Sequence, residues 1–205
     1  MPGCPCYPDL TFIIRIDRPG TLATDYHTTG GGYPRHQQLH TSSGTRRPAN
    51  ESTLPTHRSY LHDAVFTIAA TGPAPLLGRI VTDLEHPRWA PYLGRRCCTP
   101  TEPLVLGAPT PDPLQRLRRH VPLSLARPPH PDAATVPVTF VWETPPAAAP
   151  ARAHHELADD PEDLTPDSRR YRARPLWQTT EHLPATLYAG PHPLRALVAY
   201  LKEQP

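Results

Sequence analysis

The stretch AVFTIAATGPAPLLGRIVTDLE, residues 64–85, decides the fold class of this chain. In residues 64–69, Ala64, Phe66 and Ile68 alternate with Val65, Thr67 and Ala69, and this period of two predicts a β-strand. After a glycine–proline break, apolar side chains recur with helical spacing between Leu76 and Leu84, which predicts an amphipathic helix over about 75–85. A strand followed by a helix indicates a mixed α and β fold.

Further strands are predicted on both sides of this stretch. Large apolar side chains occupy every second position of residues 10–17, and a short apolar run at residues 104–106 follows the helix. Residues 60–107 therefore read as strand, helix, turn and strand. That succession is typical of one half of a ferredoxin-type sandwich.

Residues 28–57 carry almost no aliphatic side chains and so offer no core face. Thirty such residues are too many for an ordinary connection. The segment is expected either to be disordered, or to project and become ordered by a partner. Its arginines precede the first acidic residue, Glu51, which favours an acidic partner.

The C-terminal part, residues 109–205, is predicted to be largely irregular. An alternating run at 136–142 predicts one strand there, and Pro137 favours a sheet edge because proline lacks a backbone donor. Apolar residues at helical spacing predict a short helix near 193–203. The expected organisation is a domain at 9–108 that contains the 28–57 insertion, followed by this C-terminal part.

Composition bounds the class of protein. The 205 residues include 31 prolines, so much of the chain must be loop, turn or edge strand. No apolar run approaches the roughly 20 residues of a membrane span, and no signal peptide is visible, so a cytoplasmic protein without membrane contact is expected. Neither cysteine pair has C-x-x-C spacing, which argues against a structural zinc site.

The run WAPYLGRRC, residues 89–97, is the first candidate binding site. Gly94 permits a tight bend, Arg95 and Arg96 follow it, and the aromatic Tyr92 lies just before it. Guanidinium groups suit bidentate contacts with phosphates, and single-stranded RNA is held by aromatic faces and arginine planes. These four residues are predicted to bind RNA. The alternative is a surface turn whose arginines pair with nearby carboxylates.

Weaker candidates lie around the polar segment. Tyr26 and His27, at its base, either contact RNA or belong to a hinge. Arg46, Arg47 and Arg58 either follow RNA phosphates or keep a loop soluble. They complete the set of predicted RNA-binding residues.

A second basic run, residues 169–174, interleaves four arginines with one tyrosine. Such a run is typical of an RNA surface. The acidic residues at 159–163 offer an alternative, in which they neutralise the arginines within the chain. The sequence leaves both interpretations open.

Taken in order, Asp25–Thr28, Tyr60–Thr67 and Pro87–Cys97 resemble the CasD subunit family of the type I-E CRISPR Cascade complex, in the RAMP superfamily. The resemblance spans roughly residues 12–107. It implies an α+β fold with a ferredoxin-like, RRM-like RAMP domain and a thumb at residues 28–57. It also implies a non-catalytic subunit that grips the 5′ handle of the CRISPR RNA and caps the backbone filament. The implied partners are CRISPR RNA and the backbone and large subunits of Cascade, with no cofactor, metal or small-molecule ligand.

One departure from the family concerns the N-terminus. Family members begin with a further strand, a glycine-containing turn and a helix, whereas here the strand at 10–17 comes almost at once. The chain is therefore expected to be truncated, with an unpaired sheet edge and exposed apolar faces. Poor solubility or partial unfolding of the isolated chain is the predicted consequence.

Two other functions remain open. The first is a metal-independent RAMP endoribonuclease that processes CRISPR repeat RNA, in which Tyr26, His27 and an arginine serve as acid, base and cation. No lysine lies near these residues, which weakens that interpretation. The second is a truncated fragment without function.

Overall fold

A computed structural model describes residues 10–48, 51–94, 96–147, 153–165 and 168–204. Its strands are antiparallel throughout, and together with its helices they confirm a mixed α and β fold. The elements in chain order are β1 (Thr11–Arg18), β2 (Thr21–Gly30), β3 (Thr53–His62), β4 (Val65–Thr71), α1 (Ala74–Glu85), α2 (Pro113–Arg119), β5 (Thr135–Trp142), β6 (His155–Thr165), β7 (Ser168–Pro184) and α3 (Pro193–Lys202).

The chain divides into two compact units. Gly20–Ala64 forms one of them, and the remaining residues form the other. The larger unit is built on a five-stranded sheet in the order β4-β1-β5-β7-β6. The smaller unit contains the two-stranded sheet of β2 and β3.

The hydrophobic core of the larger unit lies on one side of the five-stranded sheet. Phe140 and Trp142 of β5 are buried there, together with Leu117 of α2 and Tyr200 of α3. Further buried members of the cluster are Ala69, Val121, Leu123, Val136, Val138 and Leu183. The alternating positions of β5 supply the centre of this core because every second side chain faces the same way.

A buried ionic network lies beside these apolar side chains, on the inward face of β1. Arg15 is 0% exposed and forms a bidentate salt bridge with the Asp17 carboxylate, with hydrogen bonds of 2.7 and 2.9 Å. The Arg15 guanidinium also donates to the carbonyl oxygens of residues 117, 121 and 122, at 2.6, 2.9 and 2.8 Å. Asp17 in turn accepts the Ser124 backbone N–H. The network therefore ties β1 to α2 and the segment that follows it.

The predicted edge position of the strand at 136–142 is wrong. This strand, β5, pairs with β1 on one side and with β7 on the other. Pro137 is tolerated because β1 pairs only with residues 139–142, so the proline lies in the part of β5 that has a single neighbour.

Two further expectations are wrong. Residues 104–106 form no strand, so the strand–helix–turn–strand order does not continue past α1. The C-terminal part is not irregular, because it contains α2 and the long strands β6 and β7. The pattern missed β6 and much of β7 because their side chains are mostly polar and exposed on both faces, and so show no apolar alternation.

Other elements agree with the sequence. The strand predicted at 10–17 is β1, and the strand predicted at 64–69 is β4. The helices predicted near 75–85 and 193–203 are α1 and α3. In the described part of the polar segment 28–57, the end of β2 pairs with the beginning of β3, so this part contains regular structure rather than the disorder that was one of the two expectations.

Candidate nucleic-acid interface

The loop after α1, residues 86–101, is a basic surface segment. It contains no acidic residue between Glu85 and Glu102. A turn within this loop is closed by the Leu93 N–H, which donates to the Cys98 carbonyl oxygen at 3.0 Å. Gly94 has a φ of +75°, in the left-handed region that favours glycine, so the predicted glycine bend is confirmed.

The side chains of this turn are open to solvent. Tyr92 is 50% exposed, and Arg96 is exposed with no side-chain partner among the described residues. The carboxylate-paired alternative therefore receives no support at Arg96. Arg95 lies outside the described residues. RNA binding by Tyr92, Gly94, Arg95 and Arg96 stays a prediction.

The β2–β3 hairpin separates two of the candidate residues. Tyr26 lies opposite His57, and the two rings meet edge to face with centroids 5.5 Å apart. His27 points to the other face because consecutive residues of a strand alternate. Tyr26 and His27 therefore do not form one cluster within the hairpin, although both are exposed.

The remaining candidates divide between the hairpin tip and its strand β3. Arg46 and Arg47 lie in a small inner turn, where the Arg47 N–H donates to the Leu39 carbonyl oxygen at 2.9 Å. Arg46 is exposed, whereas Arg47 is half-buried. Arg58, on β3, lies opposite Asp25 of β2. Its side chain is exposed and makes no ion pair within the described chain. Arg46 and Arg47 thus lie in the inner turn, whereas Arg58 lies within the β2–β3 ladder.

The basic run at 169–174 belongs to the β6–β7 arm, which we define as residues 155–165 and 168–176. Here Arg174 binds the Asp159 carboxylate through two hydrogen bonds, at 2.8 and 2.7 Å, and also contacts Glu143. The hydrogen bond from Arg174 lowers the pKa of Asp159, and the hydrogen bond to Asp159 raises the pKa of Arg174. Further pairs are Arg172–Glu162 at 3.3 Å, Arg172–Asp160 at 3.9 Å and Arg170–Asp163 at 4.0 Å. The arrangement favours the alternative in which the acidic residues neutralise the run.

The arginines of α2 are also largely engaged in internal contacts. Arg118 makes two hydrogen bonds with the Glu181 carboxylate, at 2.7 and 2.6 Å, and these raise the pKa of Arg118. Arg116 donates to the Tyr200 hydroxyl at 2.6 Å. Arg119 is exposed and has no side-chain partner in the described part of the chain.

Two further features of the described residues concern metal ions and membranes. No group of three or more histidine, cysteine, aspartate or glutamate side chains in that part could hold a metal ion. None of the helices described there is long and apolar enough to cross a membrane.

Sequence reasoning did not select Trp89 as a site residue. Its side chain is 77% exposed, and the Arg88 guanidinium carbon lies 5.5 Å from the centroid of its ring. The signal was available in the sequence, because an arginine directly precedes the tryptophan inside an acid-free loop.

Comparisons with known proteins agree on one family. The family described as CRISPR-associated protein (Cas_Cas5) matches residues 6–180. The CRISPR system Cascade subunit CasD of Escherichia coli (strain K12) is 36% identical over 104 residues, which are 48% of this chain and 42% of that protein. The chain thus spans less than half the length of this curated relative. A chain of a solved CRISPR RNA-guided surveillance complex matches with a TM-score of 0.80 and 41% identity, over 96% of this chain and 78% of that one.

Proposed function

Since the chain belongs to the CRISPR-associated protein (Cas_Cas5) family, we propose that it is a non-catalytic subunit of a type I-E Cascade complex. In this role it grips the 5′ handle of the CRISPR RNA and caps the filament of backbone subunits. The similarity to CasD and to a chain of an RNA-guided surveillance complex supports the assignment.

The finer fold assignment belongs to the same proposal. We assign the five-stranded sheet to a ferredoxin-like RAMP domain and the Gly20–Ala64 unit to the thumb of that domain. The pairing of β1 with β4 supports this assignment, since Arg18 and Val65 are register partners. The intervening residues are therefore an insertion between two neighbouring strands of the sheet.

The observation that carries RNA binding is the open basic turn after α1. Arg96 is exposed without a side-chain partner, and no carboxylate lies within residues 86–101. An arginine that is not neutralised within the chain keeps its donors and its charge for an external anion. Tyr92 adds an aromatic surface beside the bend, and phosphates with unstacked bases are the partner that fits both groups.

Assembly with other subunits is supported by the β2–β3 hairpin. All nine side chains on one of its faces are exposed, namely residues 22, 24, 26 and 28 of β2 and residues 53, 55, 57, 59 and 61 of β3. This face includes Leu22 and Leu61, which are large apolar side chains. A two-stranded ribbon is marginally stable in water unless something packs against it. We therefore assign a backbone subunit to this face.

Binding of handle RNA tests the proposal directly. Titration of a labelled handle oligonucleotide should give weaker binding for the double variant Arg95→Ala and Arg96→Ala than for the unaltered chain. Each lost phosphate contact should also reduce the slope of log affinity against log salt by about 0.7. Arg195→Ala, at an exposed arginine of α3, is the matched control and should bind as the unaltered chain does. Equal affinity in the double variant and the control would contradict the assigned site.

Two further measurements separate the alternatives. Labelled repeat RNA incubated without metal should stay intact, and specific cleavage would favour the endoribonuclease. The opposite orientations of Tyr26 and His27 on the hairpin support the non-catalytic role, because an acid and a base must meet at one phosphate. Co-expression with the backbone subunits should give a co-purifying complex. Its failure, together with a failure to bind RNA, would favour a fragment without function.

A further inference from the structure

Trp89 has a different environment from the other two tryptophans of the chain. Trp142 is buried in the core and Trp177 is half-buried, whereas Trp89 is 77% exposed. One exposed apolar side chain is common and needs no explanation. The surroundings of Trp89 supply a reason to treat it as more than that.

The first of these surroundings is the cation beside the ring. The Arg88 guanidinium carbon lies 5.5 Å from the centroid of the Trp89 ring, within the range of a cation–π contact. Because the side chain is nevertheless mostly exposed, one ring face holds the guanidinium while the other is accessible. Pro87 and Pro91 flank the pair and fix two φ angles of this part of the loop. The indole is thus presented on a conformationally restricted segment.

The second is the charge of the loop. Residues 86–101 contain three arginines and no carboxylate. An apolar anchor for a protein partner does not require such a composition, whereas a surface for RNA does, because every base comes with a phosphate. The observations therefore favour a nucleobase over an apolar protein side chain as the occupant of the open ring face.

We infer that Arg88 and Trp89 form a stacking platform for one unpaired base of single-stranded RNA. The base lies on the open face of the indole, and the arginines of the loop contact the adjoining phosphates. This inference rests on the proposed RNA-binding function and names a contact beyond the turn at residues 92–96. Base–aromatic stacking tolerates any base, so the platform contributes affinity with little sequence preference.

Replacement of Trp89 gives the central test, with the full chain and a single-stranded handle RNA. Trp89→Ala should weaken binding roughly 5- to 100-fold, the range expected for the loss of one stacked base. The salt dependence of affinity should stay unchanged in this variant, because stacking releases no counterions. Trp89→Phe, which keeps a ring, should retain most of the affinity. Unaltered urea unfolding of both variants shows that the fold is kept.

Tryptophan fluorescence gives a second readout. RNA should quench the emission of the unaltered chain and of Trp177→Phe, the matched control, but not that of Trp89→Phe. An RNA series with a single abasic position, moved along the handle, should contain one member to which the unaltered chain and Trp89→Ala bind equally. That member would identify the stacked nucleotide.

Three outcomes would refute the stacking platform. If the unaltered chain binds RNA and Trp89→Ala binds equally well, the platform is refuted while the proposed function stands. If Trp89→Ala loses only its association with other subunits, Trp89 is a protein anchor and the inference is wrong. If the unaltered chain does not bind RNA at all, the proposed function fails and the platform fails with it.

Discussion

Replacement of Arg15 by methionine should strongly destabilise the larger unit. The guanidinium is 0% exposed, and methionine would fill a similar volume without donating a hydrogen bond. Asp17, itself 6% exposed, would then be left buried without its cation, and breaking a buried ion pair in this way costs about 3–5 kcal/mol. Three carbonyl oxygens would also lose a donor, and each such loss costs about 1 kcal/mol or more where water cannot replace it. We expect a loss of at least about 4 kcal/mol, a large part of the roughly 5–15 kcal/mol of a typical domain.

Urea unfolding followed by circular dichroism measures this loss. The matched control is Arg119→Met, at an exposed arginine of α2 without a side-chain partner in the described residues, and its midpoint should barely move. Asp17→Asn should also destabilise the protein. The double variant should be more stable than the sum of the two single losses implies, by about 2–3 kcal/mol, because the two side chains interact directly. A loss below about 1 kcal/mol for Arg15→Met would refute the reasoning.

Three further predictions concern other parts of the chain. Gly78→Ala should raise the free energy of unfolding by about 0.5–1 kcal/mol, because Gly78 is exposed within α1 and an added Cβ meets no atom within 4 Å; an unchanged or lower urea midpoint would contradict this. Gly30→Ala should open the β2–β3 hairpin, because Gly30 has a φ of +79° and an added Cβ would collide with the Ser52 carbonyl oxygen. Amide hydrogen exchange should therefore accelerate in Gly20–Ala64 but not in β5. The hydrogen bond from Arg174 lowers the pKa of Asp159 in the folded protein. The stability that this ion pair gives to the β6–β7 arm is therefore fully present above the unfolded pKa of about 3.9, and it is lost as the pH falls through the lower folded pKa. The β6 amides should exchange faster in that acidic range, and Asp159→Asn should remove this pH dependence.

The parts of the fold that the sequence predicts well have local causes. The strand β4 and the helices α1 and α3 each carry an apolar pattern with the period of the element, and their ends carry proline or glycine signals. The bend at Gly94 was predictable for the same reason, because glycine lacks a Cβ and adopts the left-handed conformation that a tight bend requires. These features depend on residues close together in the chain.

The candidate site was predictable in part. The sequence indicates which side chains are basic or aromatic, but not which arginines are already neutralised. Arg174 has carboxylate partners in the structure, whereas Arg96 has no side-chain partner in the described residues. The two arginines look alike in sequence, and their different availability depends on strand pairing in the β6–β7 arm.

The amino-acid sequence by itself determined where β1 and β5 lie, because a period of two needs no distant residue. Only the tertiary structure decided which face of β1 turns inward and which neighbours β5 has. The inward face of β1 carries Arg15 and Asp17, a choice that is stable only because carbonyl groups about a hundred residues away accept the guanidinium donors. Alternation distinguishes two faces of a strand, but burial depends on what the rest of the chain brings to each of them.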